Sequence, residues 1–373
     1  MKWLFWGAAG VIAYTYFGYP GWLWVKSRWR PQPVRSGVYQ PPISIVMVVR
    51  NEAQVLERKL NNLLGLNYPA NLRQIVVVSD GSNDGSNEIL ATHAGQGGVY
   101  PIVHEQLRGK AAGLNDAIAA ATGEIVVFAD ARQEIEPDAV RRLMEDFADP
   151  TVGCVSGELM LGDPASGEAA KGVGLYWRIE KKIREMEAAS GSVIGATGAL
   201  YAVRRCLLVK VPTETILDDV FIPMHVLRQG SRVVFNPLAR AWDLADQGTG
   251  REFARKVRTL SGNYQLLQLA PWLLGSGNPA WFGFVSHKLL RLVVPFALAA
   301  LLIASCFLPQ PIYRVALGLQ LAFYGLSALA ILHWKRGPVG RMAEAAFTFV
   351  MLNLAALVAF ANFVTGRKAV WAR

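Results

Sequence analysis

The sequence is poor in cysteine. Its three cysteines, Cys154, Cys206 and Cys306, are odd in number, widely separated and without CxxC spacing. This pattern excludes a disulfide framework and a cysteine metal site, and it favours a cytosolic location for the folded part of the chain.

Acidic residues are almost absent from the two ends of the chain. Residues 1–35 contain five Lys or Arg and no acid, and residues 288–373 contain nine against the single Glu344. The net charge of +10 is therefore concentrated at the ends, and the middle, residues 36–287, is left near −3. A nucleic-acid-binding domain needs a basic surface to neutralise phosphates. Nucleic acid is therefore excluded as a partner.

The chain is unusually apolar, with 52% hydrophobic residues and a mean hydropathy of +0.25, which predicts a membrane protein. Residues 3–25 form an apolar run long enough to cross a bilayer. Its end is marked by Trp22, Trp24 and Trp29 and by the basic Lys26, Arg28 and Arg30, so we expect a retained anchor over residues 1–25 and a basic linker over 26–41. The basic flank predicts that the domain after it is cytoplasmic.

The C-terminal part, residues 289–373, predicts about three further spans, at 289–308, 312–332 and 345–364. Lys335 and Arg336 place the loop before the last span in the cytoplasm. If the last span crosses fully, the tail with Arg367, Lys368 and Arg373 lies outside, which violates the positive-inside rule. The alternative is that the last span does not cross fully. The sequence leaves both alternatives open.

Residues 266–288 are apolar but are interrupted by Pro271, Gly275, Gly277 and Pro279. No continuous span fits them. Their aromatic residues predict an amphipathic element at the membrane interface. The alternative is a hydrophobic loop packed on the domain.

The segment 42–265 alternates strands with helices. The strands are predicted at 43–49, 75–79, 99–104 and 125–129, and the helices between them at 53–65, 85–94 and 110–121. Apolar strands separated by helices predict a mostly parallel sheet covered on both faces. Ligands of such sheets bind at the carboxyl ends of the strands.

Acidic motifs follow two of these strands. Residues 79–86 read SDGSNDGS, and Asp130 follows another strand. Either motif alone fits an ordinary turn. Together they predict a cleft for a nucleotide base and a divalent cation, because hard cations take oxygen ligands.

Three further groups could complete this cleft. Lys110 begins a predicted helix, where it is a diphosphate contact or a solvated lysine. Asp218 and Asp219 precede another helix, as a helix cap or as a general base. Arg255 and Arg258 lie on a basic helix, as a phosphate clamp or as a basic flank.

The order of these motifs, with residues 195–201 between the acidic ones, resembles the membrane-embedded family 2 glycosyltransferases. The synthases of cellulose, hyaluronan, chitin oligomers and poly-N-acetylglucosamine are similar in pattern. The resemblance implies a GT-A, Rossmann-like α/β fold flanked by transmembrane helices. It also implies a UDP-sugar donor, inversion at the anomeric carbon and a place in the bacterial inner membrane, with other polysaccharide-export subunits as possible partners.

The resemblance also assigns residues. Asp219 would be the base, with Asp218 beside it; Asp80 would contact uracil, Asp84 would support its loop, and Asp130 would lie at the diphosphate and the metal. The nucleotide-sugar site it implies consists of Asn51, Glu52, Asp80, Asp84, Lys110, Asp130, Arg132, Arg255 and Arg258. Residues 195–199 would border the acceptor.

The chain departs from the family pattern at two positions. Arg132 replaces the second acid of the DxD motif, so Mg²⁺ or Mn²⁺ would have one ligand fewer, and Arg132 could itself offset leaving-group charge. Thr259 stands where polymer synthases have the tryptophan of QxxRW. Three functions stay open: addition to a growing polysaccharide or oligosaccharide, transfer of one sugar to a lipid carrier, and an inactive nucleotide-binding scaffold.

Overall fold

A computed structural model describes residues 1–162, 175–243, 249–331 and 337–367. Within these residues, eight strands form one mixed sheet in the order β3-β2-β1-β4-β7-β6-β8-β5. The strands are β1 Ile43–Val49, β2 Arg73–Asp80, β3 Val99–His104, β4 Ile125–Ala129, β5 Glu134–Ile135, β6 Val152–Leu161, β7 Leu200–Arg204 and β8 Arg232–Asp243.

Helices cover both faces of the sheet, and further helices lie at the two ends of the chain. They are α1 Lys2–Ala13, α2 Tyr19–Trp29, α3 Ala53–Leu64, α4 Ser86–His93, α5 Lys110–Ala120, α6 Ala139–Asp146, α7 Leu175–Ala189, α8 Asp218–Arg228, α9 Thr249–Leu269, α10 Trp281–Gly283, α11 Leu290–Phe307, α12 Pro311–Ile331 and α13 Gly337–Val364. Turns of π-helix at Tyr14–Gly18 and Phe284–Leu289 join α1 to α2 and α10 to α11.

The first half of the sheet confirms the predicted parallel βα units. Strand β1 pairs in parallel with β2 and β4, and β2 pairs in parallel with β3. All seven residues of β1 are buried, because side chains alternate between the two covered faces. Ile45 and Met47 pack in the core on one face, and Val46 and Val48 pack in the core on the other.

The second half of the sheet makes it mixed. Strand β7 runs antiparallel to both β4 and β6, β8 pairs in parallel with β6, and β5 pairs antiparallel with β8. This half brings β7 next to β4. The segment that leads into β7, residues 195–199, therefore lies beside the carboxyl end of β4.

Among the described residues, three helices are long and apolar enough to cross a membrane: Trp281–Phe307, Pro311–Ile331 and Gly337–Val364. They correspond to the three predicted C-terminal spans. Lys335, Arg336, Lys368 and Arg373, on which the predicted orientation of the last span depends, lie outside the described residues.

The N-terminal helix runs from Lys2 to Trp29 and packs along the first of these spans. Phe5 joins a small core with Ala304, Leu308 and Tyr313, and its ring lies 4.7 Å from that of Tyr313, edge to face. This helix is not among the three candidate spans, so its membrane crossing stays a prediction.

The apolar segment 266–288 is divided among several elements. It contains the end of α9, a short 3₁₀ turn at Pro271–Leu274 and the first two turns of the helix Trp281–Phe307. The segment is therefore not one amphipathic helix. Its place at the membrane interface stays a prediction.

Candidate active site

Asp80 is the last residue of β2 and is fully buried. One carboxylate oxygen accepts a hydrogen bond from the backbone N–H of Arg108, and the other accepts one from Gly109, both at 2.8 Å. Gly109 has a φ of 95°, a conformation that glycine adopts without strain. Asp80 thus fixes the turn that leads into Lys110. Its assignment to uracil stays a prediction.

Asp84 links the loop after β2 to the loop after β1. Its carboxylate accepts hydrogen bonds from the backbone N–H of Ala53 at 3.0 Å and from the hydroxyl of Ser86 at 2.6 Å. Burial alone would raise the pKa of Asp84, but these hydrogen bonds outweigh it and lower the pKa. The carboxylate is therefore held ionised as a brace between the loops.

Asn51 and Glu52 complete the same junction. Asn51 has a left-handed backbone, with φ 52°, and its side-chain oxygen accepts a hydrogen bond from the backbone N–H of Asn83 at 2.9 Å. The backbone N–H of Glu52 donates to the Ser86 hydroxyl at 3.1 Å. Both residues line the carboxyl edge of the sheet, as expected.

Lys110 lies at the centre of the acidic groups. Its ammonium is 3.1 Å from Asp130 and 3.4 Å from Asp218, and its side chain is only 18% exposed. Burial alone would lower the pKa of Lys110, but the charges of Asp130 and Asp218 raise it well above the usual range. Lys110 is therefore a fixed cation beside Asp130, and a solvated surface lysine is excluded.

Asp218 and Asp219 form the first turn of α8, with Asp218 almost completely buried. Burial and the neighbouring charge of Asp218 raise the pKa of Asp219 to about 6, although the charges of Lys110 and Lys288 partly offset the rise. A carboxyl with this pKa can accept a proton near neutral pH.

Gly198 separates the two carboxylates that face the cleft. A Cβ on Gly198 would lie 3.4 Å from Oδ2 of Asp219 and 3.6 Å from Oδ2 of Asp130. The segment 195–199 is tied to α8 by a 2.7 Å hydrogen bond from the N–H of Ala196 to the carbonyl of Asp219. Any side chain larger than glycine would narrow the space between these two groups.

Arg132, at the position of the missing DxD acid, is paired with Glu52. Its guanidinium lies 3.0 Å from the Glu52 carboxylate, and its side chain is 65% exposed. The hydrogen bond to Glu52 raises the pKa of Arg132. The pair therefore forms one exposed edge of the cleft, and Arg132 is available to an anionic ligand only in competition with Glu52.

Arg255 and Arg258 lie on α9, which docks on the loop before Asp218. A Cβ on Gly262 would meet Leu217 at 2.6 Å, and the Gln265 side chain bonds the backbone of Ile216 at 2.9 Å. Residues three and four apart share a helix face, so Arg258 and Arg255 continue the face that carries Gly262 and Gln265. Their contact with a diphosphate stays a prediction.

The carboxylates of the site fit a divalent cation that is held mainly by the phosphates of a bound substrate. Within the described part of the chain, no group of three His, Cys, Asp or Glu could hold a metal. Oδ1 of Asp130 faces Lys110, whereas Oδ2 faces the space beside Gly198. Mg²⁺ is commonly held by one or two carboxylates plus substrate phosphates. Asp130 is the residue that fits this role.

Sequence reasoning missed Lys59. It is buried beneath the loop that follows Asp130, where its ammonium donates to the backbone carbonyl of Gln133 at 2.6 Å. Burial lowers the pKa of Lys59 to about 7, although the charges of Asp130 and Glu134 partly offset this decrease. In the sequence, Lys59 lies among the apolar residues that form the inner face of a predicted helix. That position is the only feature of the sequence that could have indicated its burial.

Part of the chain is similar to a known protein family. Residues 44–210 match the family described as glycosyl transferase family 2. The chain is 25% identical over 229 residues to a poly-beta-1,6-N-acetyl-D-glucosamine synthase of Staphylococcus aureus strain COL. The aligned residues cover 60% of this chain and 55% of that protein. A synthase of the same name from Staphylococcus epidermidis is 26% identical over 234 residues, 62% of this chain and 56% of that protein. The chain thus spans about half the length of these relatives.

The fold of the chain is similar to that of a solved structure. A mannosyltransferase from Pyrobaculum calidifontis, in complex with GDP-Man and Mn²⁺, superposes with a TM-score of 0.74 at 24% identity and covers 98% of this chain and 99% of its own. This likeness concerns the fold, including the helices outside the sheet domain.

Proposed function

We propose that the chain is an inverting membrane glycosyltransferase, because residues 44–210 match the family described as glycosyl transferase family 2 and the chain contains a GT-A-like mixed sheet. It transfers a sugar from a UDP-sugar to a growing polysaccharide or oligosaccharide. The catalytic domain lies on the cytoplasmic side of the inner membrane, in exopolysaccharide biosynthesis. The relatives named as poly-N-acetylglucosamine synthases make UDP-N-acetylglucosamine the first donor to test.

The proposed reaction is a direct displacement. Asp219 removes the proton from an acceptor hydroxyl, the oxygen attacks the anomeric carbon, and the bond from that carbon to the diphosphate oxygen breaks. Lys110 and Arg258 stabilise the negative charge that UDP carries away. Mg²⁺ or Mn²⁺, held by Asp130, would neutralise part of the same charge when bound.

One observation carries this proposal. Lys110 lies within 3.4 Å of both Asp130 and Asp218, and Asp219, whose pKa is raised to about 6, follows Asp218 directly. A fixed cation for a leaving diphosphate and a base for a hydroxyl thus occur at one edge of the sheet. These are the two groups that an inverting transfer requires.

The substitution Asp219→Asn tests the base. Removal of a positioned base costs about 10² to 10⁴ in rate, so UDP release from UDP-N-acetylglucosamine with acceptor is expected to fall by that factor. UDP binding, measured by calorimetry, is expected to remain. Asp138→Asn, at an exposed carboxyl next to α6, is the matched control. Wild-type turnover in Asp219→Asn would show that another group is the base.

Transfer of a single sugar to a lipid carrier is the second candidate. Thr259 has no aromatic ring that could stack on an acceptor sugar. Its hydroxyl donates to the backbone carbonyl of Arg255 at 3.0 Å, on its own helix. Products from a radiolabelled donor separate the two candidates. A long polymer supports the synthase, and a single-sugar product that extracts into organic solvent supports the lipid transferase.

A screen of UDP-sugars with Mg²⁺, with Mn²⁺ and with chelator tests the donor and the cation together. If Asp130 holds the cation, Asp130→Asn should raise the metal concentration needed for half-maximal UDP release. Equal release with and without chelator would exclude the metal. Absence of UDP release from every donor, with UDP still bound, would support a nucleotide-binding scaffold instead.

A further inference from the structure

A buried cluster of charges joins α7 to the first candidate span. His287, in the π-helical turn of that span, has Nδ1 at 2.7 Å from Glu187 and Nε2 at 3.0 Å from Glu180. Arg291 lies one turn further, with its guanidinium at 2.7 Å from the second oxygen of Glu180. The side chains of His287 and Glu187 are 3% and 2% exposed.

Hydrogen bonds and ion pairs hold this cluster together. Burial alone would raise the pKa values of Glu180 and Glu187, but the charges of Arg291 and His287 lower the pKa of Glu180, and His287 lowers that of Glu187. The two ring nitrogens of His287 lie within hydrogen-bond distance of Glu187 and Glu180, and Glu180 also accepts a hydrogen bond from Arg291. The two buried carboxylates thus each have a basic partner, which is the condition for tolerating such groups in a buried site.

Glu187 connects this cluster to the catalytic cleft. One of its oxygens also accepts the hydroxyl of Tyr19 at 2.7 Å, and the other faces the backbone N–H of Ile194 at 3.4 Å. Ile194 directly precedes the segment 195–199. That segment bonds the carbonyl of Asp219 and places Gly198 beside the Asp219 carboxylate.

The span itself contacts the same point. A Cβ on Gly283 would lie 3.1 Å from Cδ1 of Ile194 and 3.4 Å from the Tyr19 hydroxyl. In the π-helical turn, Lys288 follows His287, and its charge lowers the pKa of Asp219. π-Turns are rare inside helices and are frequent at functional sites. Here the turn brings His287 to Glu180 and Glu187, and it brings the charge of Lys288 within range of the proposed base.

We infer that Glu180, His287 and Glu187 form a clamp that positions the acceptor side of the cleft against the membrane helix. His287 and Glu187 are positioning residues: they act through Ile194 and the segment 195–199, and they do not touch the donor. This inference rests on the proposed transferase function. It concerns the wall of the cleft that faces the span, whereas Lys110 and Asp130 define the donor side.

Full-length protein in detergent tests the clamp. His287→Phe keeps a ring and removes both nitrogens that contact Glu180 and Glu187. With UDP-N-acetylglucosamine as donor and a β-1,6-linked N-acetylglucosamine oligomer as acceptor, kcat is expected to fall about 10²-fold, the cost of a small misplacement of reacting groups. The acceptor KM is expected to rise. The UDP dissociation constant and the slow hydrolysis of the donor without acceptor are expected to stay within twofold of wild type.

Glu187→Gln and Glu187→Leu provide a second test in case His287→Phe fails to fold. Gln keeps one acceptor oxygen, enough for either Tyr19 or Ile194, so its loss of transfer should be smaller than that of Leu. Glu185→Gln, which breaks the exposed pair with Lys182 on the same helix, is the control and should match wild type. All variants are compared per folded molecule, after size-exclusion chromatography.

The outcomes separate the clamp from the proposed function. If wild type and Glu185→Gln transfer sugar and the folded Glu187 and His287 variants do so with unchanged kcat and acceptor KM, the clamp inference is wrong. The same holds if donor hydrolysis and UDP affinity fall in parallel with transfer, because the effect is then not confined to the acceptor side. If wild type releases no UDP from any donor, the proposed function itself fails.

Discussion

The Asp80 carboxylate accepts hydrogen bonds from two successive backbone N–H groups, which is the arrangement of a loop-fixing residue. Asp80→Asn replaces one acceptor by an amide that cannot accept, and leaves one buried N–H unsatisfied at a cost of about 1–3 kcal/mol. We therefore expect lower thermal stability and weaker binding of UDP, GDP and CDP alike, because Lys110 loses its support.

A direct role in base recognition makes a different prediction for Asp80→Asn. Only UDP would then bind more weakly, and the melting temperature would stay near that of wild type. Calorimetric titration with the three nucleotides and a thermal melt of the same sample distinguish the two roles.

Asp219 gives a prediction about pH. A base must be deprotonated to act, so the transfer rate should fall as pH drops through about 6, the raised pKa of Asp219. Lys288 lowers this pKa by its charge, so Lys288→Met should move the acidic limb of the kcat profile to higher pH. An unchanged limb in Lys288→Met would mean that the limb reports another group.

At the scale of elements, the sequence predicted the half of the sheet that is local along the chain. Strands β1 to β4 and the helices between them follow from apolar runs separated by polar turns, and the acidic motifs lie at strand ends as expected. Strand β7, which borders Gly198, was not predicted, because it is a five-residue run outside the alternation of strands and helices and it pairs antiparallel with β4. Local patterns do not contain such pairings.

The site shows the same limit. The sequence located Lys110, Asp130 and Asp219 through the family pattern. It missed the partners that arise only from tertiary packing, such as Glu187 with His287, which are 100 residues apart. It also assigned Asp80 and Arg132 to ligands without their protein partners, because neither the turn at Gly109 nor the pair with Glu52 is visible in the sequence.

The docking of α9 on the loop before Asp218 gives a prediction at this scale. Gly262→Ala would place a Cβ 2.6 Å from Leu217, so the loop or the helix must shift and Asp218 and Asp219 must move with it. Transfer should fall by about 10-fold or more, since small displacements of catalytic groups are costly.

Gly250→Ala on the same helix is the matched control, because a Cβ there meets nothing within 4 Å. The Gly250→Ala variant should leave the transfer rate unchanged and should stabilise the helix by up to about 1 kcal/mol. Equal activity in the two alanine variants would show that the α9 contact does not position the acidic pair.

For the whole molecule, the distribution of charge agrees with the arrangement of helices. The positive charge of the chain lies in the end segments, which supply the N-terminal helix and the three apolar helices, and the near-neutral middle supplies the carboxylates of the site. If the three helices cross the membrane, the protein should stay in the membrane fraction after washes with 1 M salt and with alkaline carbonate. Release by salt alone would indicate electrostatic attachment.

The proposed orientation of the molecule can be tested with single cysteines. Cys206 is exposed on the sheet domain, and Pro309 is exposed in the turn between the first two candidate spans. If the helix Trp281–Phe307 crosses the bilayer with the domain inside, these positions lie on opposite sides. A membrane-impermeant maleimide should then label Pro309→Cys, made in a chain without other cysteines, from outside intact spheroplasts. A chain that keeps only Cys206 should be labelled only after the membrane is opened. Labelling of both from the same side would mean that the helix lies on the membrane, because the two residues flank that helix.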